Sequence, residues 1–143
     1  MTPLESRFKQ LILRQELHIG NLNSADIGVV LISATIAIPN RQALTEKDVT
    51  QRLQAWLSTV GSNVQADAVE LRRHLVDFHL LERDRAGREY RRVTEWPAKW
   101  RDIGGELETL DAELFAERVR ADEAQERAAR KKAALEARGG LTS

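Results

Sequence analysis

Few residues in the sequence could carry out chemistry near neutral pH. His18, His74 and His79 are its only histidines, and there is no cysteine. His74 follows Glu70 at a spacing of one helical turn, which would suit two metal ligands or a surface ion pair. Two ligands do not complete a metal site, and the motifs of zinc proteases, phosphate-binding loops and serine hydrolases do not occur. We therefore expect no catalytic site, no metal, no cofactor and no enzymatic activity.

The segment from Leu80 to Val93 is rich in arginine, and a turn containing Gly87 divides it into two stretches typical of β-strands. A hairpin of this kind can lie along a DNA duplex and contact its phosphates. The candidate DNA-binding side chains of the hairpin are Arg83, Arg85, Arg88, Arg91 and Arg92. The acids of the segment, which reduce its net charge to about +2, are Glu82, Asp84 and Glu89. Cross-strand ion pairs with these acids could instead neutralise several of the arginines.

A helix predicted to begin near Asp67 would provide the second part of a DNA-binding surface. Its buried side would be formed by Leu71, Leu75 and Phe78, which lie at helical spacing. The side chains expected on its outward side are Asp67, Glu70, Arg73, His74 and Asp77. Arg73 is the candidate DNA contact, whereas the three acids oppose docking beside phosphates. We expect Arg72, at the edge of the apolar stripe, to brace the hairpin or a helix end.

Two further helices are predicted near the N-terminus. Thr2 can cap a first helix in a capping box, and Gly20 supplies a stop, so this helix is expected to run from Pro3 to His18. Ser24 is the candidate cap of a second helix. This helix is strongly apolar, ends before Pro39 and is expected to be buried in the core.

A third helix is predicted to begin at Thr45 and to be interrupted at Gly61. With the helix near Asp67 and the hairpin that follows, it completes the order helix, turn, helix, hairpin. The predicted fold is therefore mainly α with a small β-hairpin. We expect a winged helix-turn-helix domain with its N-terminal helix over residues 1–93.

Residues 94–143 are predicted to form a connector and a long charged helix. We expect Trp96 and Trp100, four residues apart, to pack the connector against the winged-helix module. From beyond Gly104-Gly105 to Gly139-Gly140, strong helix formers predominate, which predicts one long helix. The candidate residues for pairing two subunits are Ile103, Leu107, Leu110 and Leu114.

The long helix has a partial heptad pattern that leaves three roles open. The apolar residues that recur every seven positions are Leu107, Leu114, Ala121, Ala128 and Leu135. Glu117 and Lys131 interrupt the second apolar series. The helix could be a solvated arm, could pair two subunits or could dock onto another protein.

Composition narrows the class of protein. Lysine and arginine (22) balance aspartate and glutamate (22), so any attraction to nucleic acid must be local. The apolar run from Ile27 to Ile38 is shorter than the roughly 20 residues that a membrane-spanning helix needs. The N-terminus lacks the pattern of a secretory signal, and cysteine is absent. These features favour a cytoplasmic protein that does not bind a membrane.

Three segments resemble the bacterial family called domain of unknown function 2087. They are the segments from Leu44 to Val49, from Asp67 to Asp77 with its Leu-Arg-Arg-His-Leu-Val-Asp run, and from Leu80 to Tyr90. The resemblance implies a winged-helix fold, because members of the family resemble winged helices and occur alone or joined to helix-turn-helix transcriptional regulators. It also suggests transcriptional regulation, although the family itself has no settled activity.

Two functions follow from these patterns. The first is a duplex-DNA-binding transcriptional regulator or accessory factor, with Arg73 near the groove and the hairpin arginines on phosphates. The second is a protein-interaction module that uses the winged helix, the C-terminal helix or both, including a homodimer paired through that helix. Zero net charge and the acids on the outward side of the helix near Asp67 favour the second.

Overall fold

The computed structural model describes residues 1–141. The α-helices in this range are α1 (Pro3–Ile12), α2 (Ser24–Ile36), α3 (Glu46–Ser58), α4 (Ala68–Asp77), α5 (Arg101–Leu107) and α6 (Ala112–Leu141). The strands β1 (Leu44–Thr45), β2 (Leu81–Arg83) and β3 (Glu89–Arg92) form an antiparallel sheet in the order β1-β3-β2. From α2 onward, the elements follow in the order helix, strand, helix, helix and hairpin, which is the order expected for the predicted winged helix-turn-helix module. The predicted mainly α fold with a small hairpin and a long C-terminal helix is therefore confirmed.

The residues that precede the helices determine where the helices begin. The N-caps of α1, α3 and α4 are Thr2, the predicted cap, and Thr45 and Asp67, which stand at the predicted starts of the other two helices. α2 differs by one residue, because its cap is Asn23 and not the predicted Ser24. The side chain of Asn23 accepts a hydrogen bond from the backbone N–H of Asp26 over 2.9 Å. Such caps satisfy N–H groups that have no partner inside the helix.

α1 ends at Ile12, so the predicted end at His18 is wrong. The Nδ2 atom of Asn63 donates to the carbonyl oxygen of Leu11 over 2.9 Å and thereby caps the end of the helix from outside. The backbone then leaves the helix, and the N–H of Leu17 donates to the carbonyl of Asn63 over 2.9 Å. The end of α1 is therefore set by a segment about 50 residues further along the chain.

The core is built around α2, which is the predicted buried helix. Val29, Leu31 and Ile32 are fully buried. The indole of Trp56 on α3 donates to the hydroxyl of Ser33 over 3.2 Å and ties α3 to α2. The short strand β1 follows α2 and is not among the predicted elements. It adds a third strand to the sheet beside β3.

The connector after the hairpin packs into the same core, as predicted for its two tryptophans. Trp100 is 1% exposed, and its Nε1 donates to the carbonyl of Ser24 at the start of α2 over 3.0 Å. Trp96 lies against Gly104 so closely that a β-carbon at this glycine would be 2.3 Å from its ring. Residues 94–119 thus contribute to one core with the winged-helix module.

The predicted single C-terminal helix is divided into α5 and α6. Gly104 and Gly105 lie inside α5 and do not precede the helix. The backbone turns at residues 108–111, and α6 begins at Ala112, where Asp111 accepts a hydrogen bond from the N–H of Leu114 over 3.1 Å. The predicted stop at Gly139 is also wrong, because α6 continues through it. Of the helices described for residues 1–141, none is both long and apolar enough to cross a membrane.

Candidate nucleic-acid interface

The pairing of β2 with β3 divides the arginines between the two faces of the hairpin. Arg83 is paired with Tyr90, and Glu82 is paired with Arg91. Residues directly opposite in an antiparallel ladder project to the same face. Because Tyr90 is buried at 2% exposure, Arg83 lies on the face that is turned toward α4. Arg91 lies on the opposite face of the hairpin, across from Glu82.

A groove of about 350 Å³ separates the hairpin from α4. Arg83 lines it from the hairpin, Arg73 and Asp77 line it from α4, and Tyr90 contributes from β3. Arg73 and Arg83 are both exposed to solvent. The groove therefore places an arginine of α4, the helix predicted to contact DNA, and an arginine of the hairpin, which is the wing of the predicted module, around one opening.

Arg72 braces this groove, as expected from its position at the edge of the apolar stripe. Its side chain is 11% exposed, and its Nη2 lies 3.2 Å from the Glu46 carboxylate. Its Nη1 donates to the hydroxyl of Thr50 over 2.7 Å. The guanidinium also lies over the ring of Tyr90, 5.7 Å from its centroid. Arg72 thus joins α4 to the first turns of α3 and to β3.

Asp84 organises the turn between the two strands of the hairpin. Its carboxylate accepts hydrogen bonds from the backbone N–H groups of Arg88 over 2.8 Å and Glu89 over 3.3 Å. These hydrogen bonds, that of Arg88 first, lower the pKa of Asp84. Gly87 completes the turn with a φ of 68°, a conformation that glycine adopts readily. The turn leaves Arg85 and Arg88 exposed at the tip of the wing.

Arg92 is placed differently from the other candidate arginines. It is only 9% exposed, and its Nη2 lies 2.7 Å from a carboxylate oxygen of Glu108. Its guanidinium lies over the ring of Trp96, 4.8 Å from the centroid. Burial lowers the pKa of Arg92, and the negative charge of Glu108 opposes this effect. Arg92 fastens the hairpin to the connector and is not placed to contact phosphate.

The remaining candidate arginines are not neutralised by ion pairs. Within residues 1–141, no carboxylate lies within 4.0 Å of a guanidinium nitrogen of Arg73, Arg83, Arg85, Arg88 or Arg91. Cross-strand pairing with the acids of the hairpin, the alternative that the sequence leaves open, does not occur at this distance.

Acidic side chains also lie exposed on α4. They are Asp67, Glu70 and Asp77. The carboxylate of Asp67 accepts a hydrogen bond from the N–H of Glu70 over 2.8 Å, because Asp67 caps the helix. Arg73 lies between these acids along the helix. The outward side of α4 therefore carries charges of both signs, as expected from the sequence.

The histidines do not form a site with other ligand-type residues. In the part of the chain that the structure describes, no group of three or more histidines and acids could hold a metal ion. His18 lies 3.4 Å from the carboxylate of Glu16. His74 is partly buried, with its ring centroid 6.5 Å from that of Phe78. His79 has a φ of 62° where the chain leaves α4.

The four candidate residues for subunit pairing occupy different environments. Leu107 is 1% exposed and belongs to the core of its own chain. Ile103 and Leu110 are partly buried against that core. Leu114, on α6, is 40% exposed. Of these four residues, Leu114 is the one whose side chain is exposed enough to contact another subunit.

Residues 25–92 match a family model described as an uncharacterized protein conserved in bacteria, DUF2087. This segment, 68 of the 143 residues, is similar to the DUF2087 family. It spans α2 to the end of β3 and contains all three segments on which the resemblance was noted. α1, α5 and α6 lie outside it. No curated protein and no solved structure matches the chain.

The DUF2087 segment contains all the residues that line the groove. It does not contain the residues that anchor the hairpin side of the groove. Arg92, at the end of the segment, is anchored by Trp96 and Glu108, which follow it. Sequence reasoning did not assign the turn-forming role of Asp84. An aspartate three residues before Gly87 is a common β-turn pattern and could have indicated this role.

Proposed function

We propose that this protein is a non-enzymatic winged-helix protein that binds duplex DNA as a transcriptional regulator or an accessory factor. The observation that carries the proposal is a set of four exposed arginines without ion-pair partners among residues 1–141. They lie around the groove and at the wing tip: Arg73, Arg83, Arg85 and Arg88. Unpaired guanidinium groups suit phosphate oxygens, because each can donate two parallel hydrogen bonds. We expect such a protein to act in the bacterial cytoplasm, where the DNA lies.

In this mechanism α4 enters the major groove and the hairpin follows the adjacent backbone. Arg83, Arg85 and Arg88 would contact phosphates and fix the orientation of the module. Arg73 would lie closest to the base edges. The acids of α4 would repel phosphates, so binding should be weaker than the arginines alone would suggest, and it should fall less steeply with salt because salt also screens this repulsion. Arg72 and Tyr90 would hold the groove open without contacting DNA.

Fluorescence anisotropy with a labelled duplex tests the proposal. The wild-type protein should bind at low salt, and its affinity should fall steeply as salt rises. The variant Arg83→Ala/Arg85→Ala/Arg88→Ala should bind more weakly, and the slope of log affinity against log salt should decrease by about 3, since three phosphate contacts are removed. Arg91→Ala should weaken DNA binding less, because Arg91 lies on the other face of the hairpin.

A matched control replaces three exposed arginines outside the groove. The variant Arg14→Ala/Arg52→Ala/Arg101→Ala changes the net charge equally and should keep the wild-type salt slope. Equal loss of binding in both triple variants would mean that net charge, and not this surface, is responsible. Absence of binding at low salt would reject the DNA proposal.

A second candidate function is a protein-interaction module. It is favoured by the acids Asp67, Glu70 and Asp77, which lie exposed on the helix that would read DNA. A basic partner segment could bind this side of α4. Asp67 also caps the helix, so Glu70→Gln/Asp77→Asn is the cleaner test. In the DNA mechanism this variant should bind duplex DNA more tightly, because repulsion of phosphates is reduced. An unchanged DNA affinity would favour the protein-interaction function.

A further inference from the structure

The first turns of α6 are docked on the core, whereas the rest of the helix extends beyond it. Phe115 stacks on Phe8 with ring centroids 5.4 Å apart. Arg120 donates to the carbonyl of Thr59 at the end of α3 over 2.6 Å, and burial lowers its pKa. Residues 124–139 are all exposed. The docked face of α6 therefore ends near Arg120.

An apolar stripe runs along the other side of α6. Its members are Leu114, Ala121, Ala128 and Leu135, which recur every seven residues and are all exposed. Leu114 is 40% exposed and Leu135 is 57% exposed, at the two ends of the stripe. At about 1.5 Å per residue the stripe is roughly 30 Å long. At about 100° per residue it lies roughly opposite the buried Ala116 and Val119. A heptad seam of this length on an uncovered face is typical of a helix that pairs with another helix.

The charges within this seam favour a second copy of the chain in antiparallel orientation. Glu117 and Lys131 occupy the alternate seam positions, with Ala124 between them. In a parallel pair each would face the same residue of its partner, and like charges would meet twice. In an antiparallel pair with Ala121 opposite Ala128, Leu114 lies opposite Leu135, and Glu117 of each helix lies opposite Lys132 and close to Lys131 of the other.

We propose that the stripe on α6 binds the same stripe of a second copy and forms an antiparallel homodimer. The alanines in the middle allow the two helices to approach closely, and a leucine covers each end. Because the winged-helix module lies at the N-terminal end of α6, the two modules are placed at opposite ends of the helix pair. The pairing does not depend on DNA binding and can fail or hold independently of it.

Analytical ultracentrifugation of the full chain tests the pairing. The wild-type protein is expected to sediment as a dimer, and Leu114→Glu/Leu135→Glu is expected to sediment as a monomer with unchanged helix content. The single variant Leu135→Glu lies outside the docked part of α6, so it reports on pairing even if the change at Leu114 disturbs folding. It should weaken the dimer at least tenfold.

The matched control introduces two glutamates on the same helix but away from the stripe. Ala129→Glu/Ala133→Glu should remain dimeric. A dimer that persists in Leu114→Glu/Leu135→Glu, or a monomeric wild-type chain, would overturn the proposal. The second outcome would assign the stripe to a different protein.

Engineered cysteines test the orientation, since the natural chain has none to interfere. Two differently tagged variants, Ala121→Cys and Ala128→Cys, are mixed and oxidised. The antiparallel arrangement predicts that the disulfide forms mainly between the two different variants. Predominant crosslinking of each variant to itself would overturn the antiparallel orientation.

Discussion

At the scale of single residues, Asp84 links the shape of the wing to pH. Its carboxylate holds the backbone N–H groups of Arg88 and Glu89, and these hydrogen bonds keep the pKa of Asp84 below the ordinary 3.8. The stabilisation of the turn is therefore complete above the pKa of the unfolded chain. It is lost as the pH falls through the lower pKa of the folded chain.

An NMR titration measures this effect directly. The Asp84 carboxyl should titrate with a midpoint below 3.8, and the amide signals of Arg88 and Glu89 should move with it. Asp84→Ala should abolish that movement and speed amide exchange at both residues. Asp77 is an exposed acid on α4, and the control Asp77→Ala should leave the movement of the Arg88 and Glu89 signals unchanged. A midpoint at or above 3.8 would show that the turn does not favour the charged form.

Part of the candidate site could be predicted from the sequence and part could not. Arg83 and Arg92 are equivalent in a sequence pattern, since both are arginines in a predicted hairpin. The register places both on the face of the hairpin that carries Tyr90, where Arg83 is exposed beside the groove, whereas contacts with Trp96 and Glu108 bury Arg92. These contacts depend on how the connector folds back, which no local pattern specifies. The bracing role of Arg72 was predictable, because it follows from the helical period.

At the scale of elements, the two adjacent glycines of α5 are expected to respond oppositely to substitution. A β-carbon at Gly104 would lie 2.3 Å from the ring of Trp96, whereas one at Gly105 meets no atom within 4 Å. Gly104→Ala should therefore destabilise the protein by about 1–3 kcal/mol through overpacking. Gly105→Ala should stabilise it by up to about 1 kcal/mol, because alanine favours helix.

Urea unfolding of the two variants checks this expectation, with each serving as the control for the other. If both changes stabilise the protein, the connector is not held against α5 through Trp96. If both changes destabilise the protein, a β-carbon at Gly105 must collide with neighbouring atoms.

The elements predicted correctly are those whose limits are set by neighbouring residues. The caps Thr2, Thr45 and Asp67 act on N–H groups within the next turn, so their pattern is visible in the sequence. The end of α1 was missed because it depends on Asn63, far along the chain. β1 was missed because two residues form a strand only where β3 is present to pair with them.

At the scale of the whole molecule, a chain with zero net charge places four exposed, unpaired arginines around one groove and on the adjoining wing tip. The winged-helix module and the connector share one core. The position of the groove therefore depends on the DUF2087 segment and on the residues that follow it. The far part of α6 lies outside this core. We therefore propose that DNA binds at one surface and that a second copy of the chain binds at another.

The most direct test of the DNA-binding surface is NMR mapping of the labelled protein with duplex DNA at low salt. We expect the largest amide shifts at Arg73 on α4 and at residues 83–88 on the wing. Residues 124–139 of α6 should be unaffected. Shifts confined to α6 or α1, or no shifts at a DNA excess, would contradict the assignment of DNA binding to the groove between α4 and the wing.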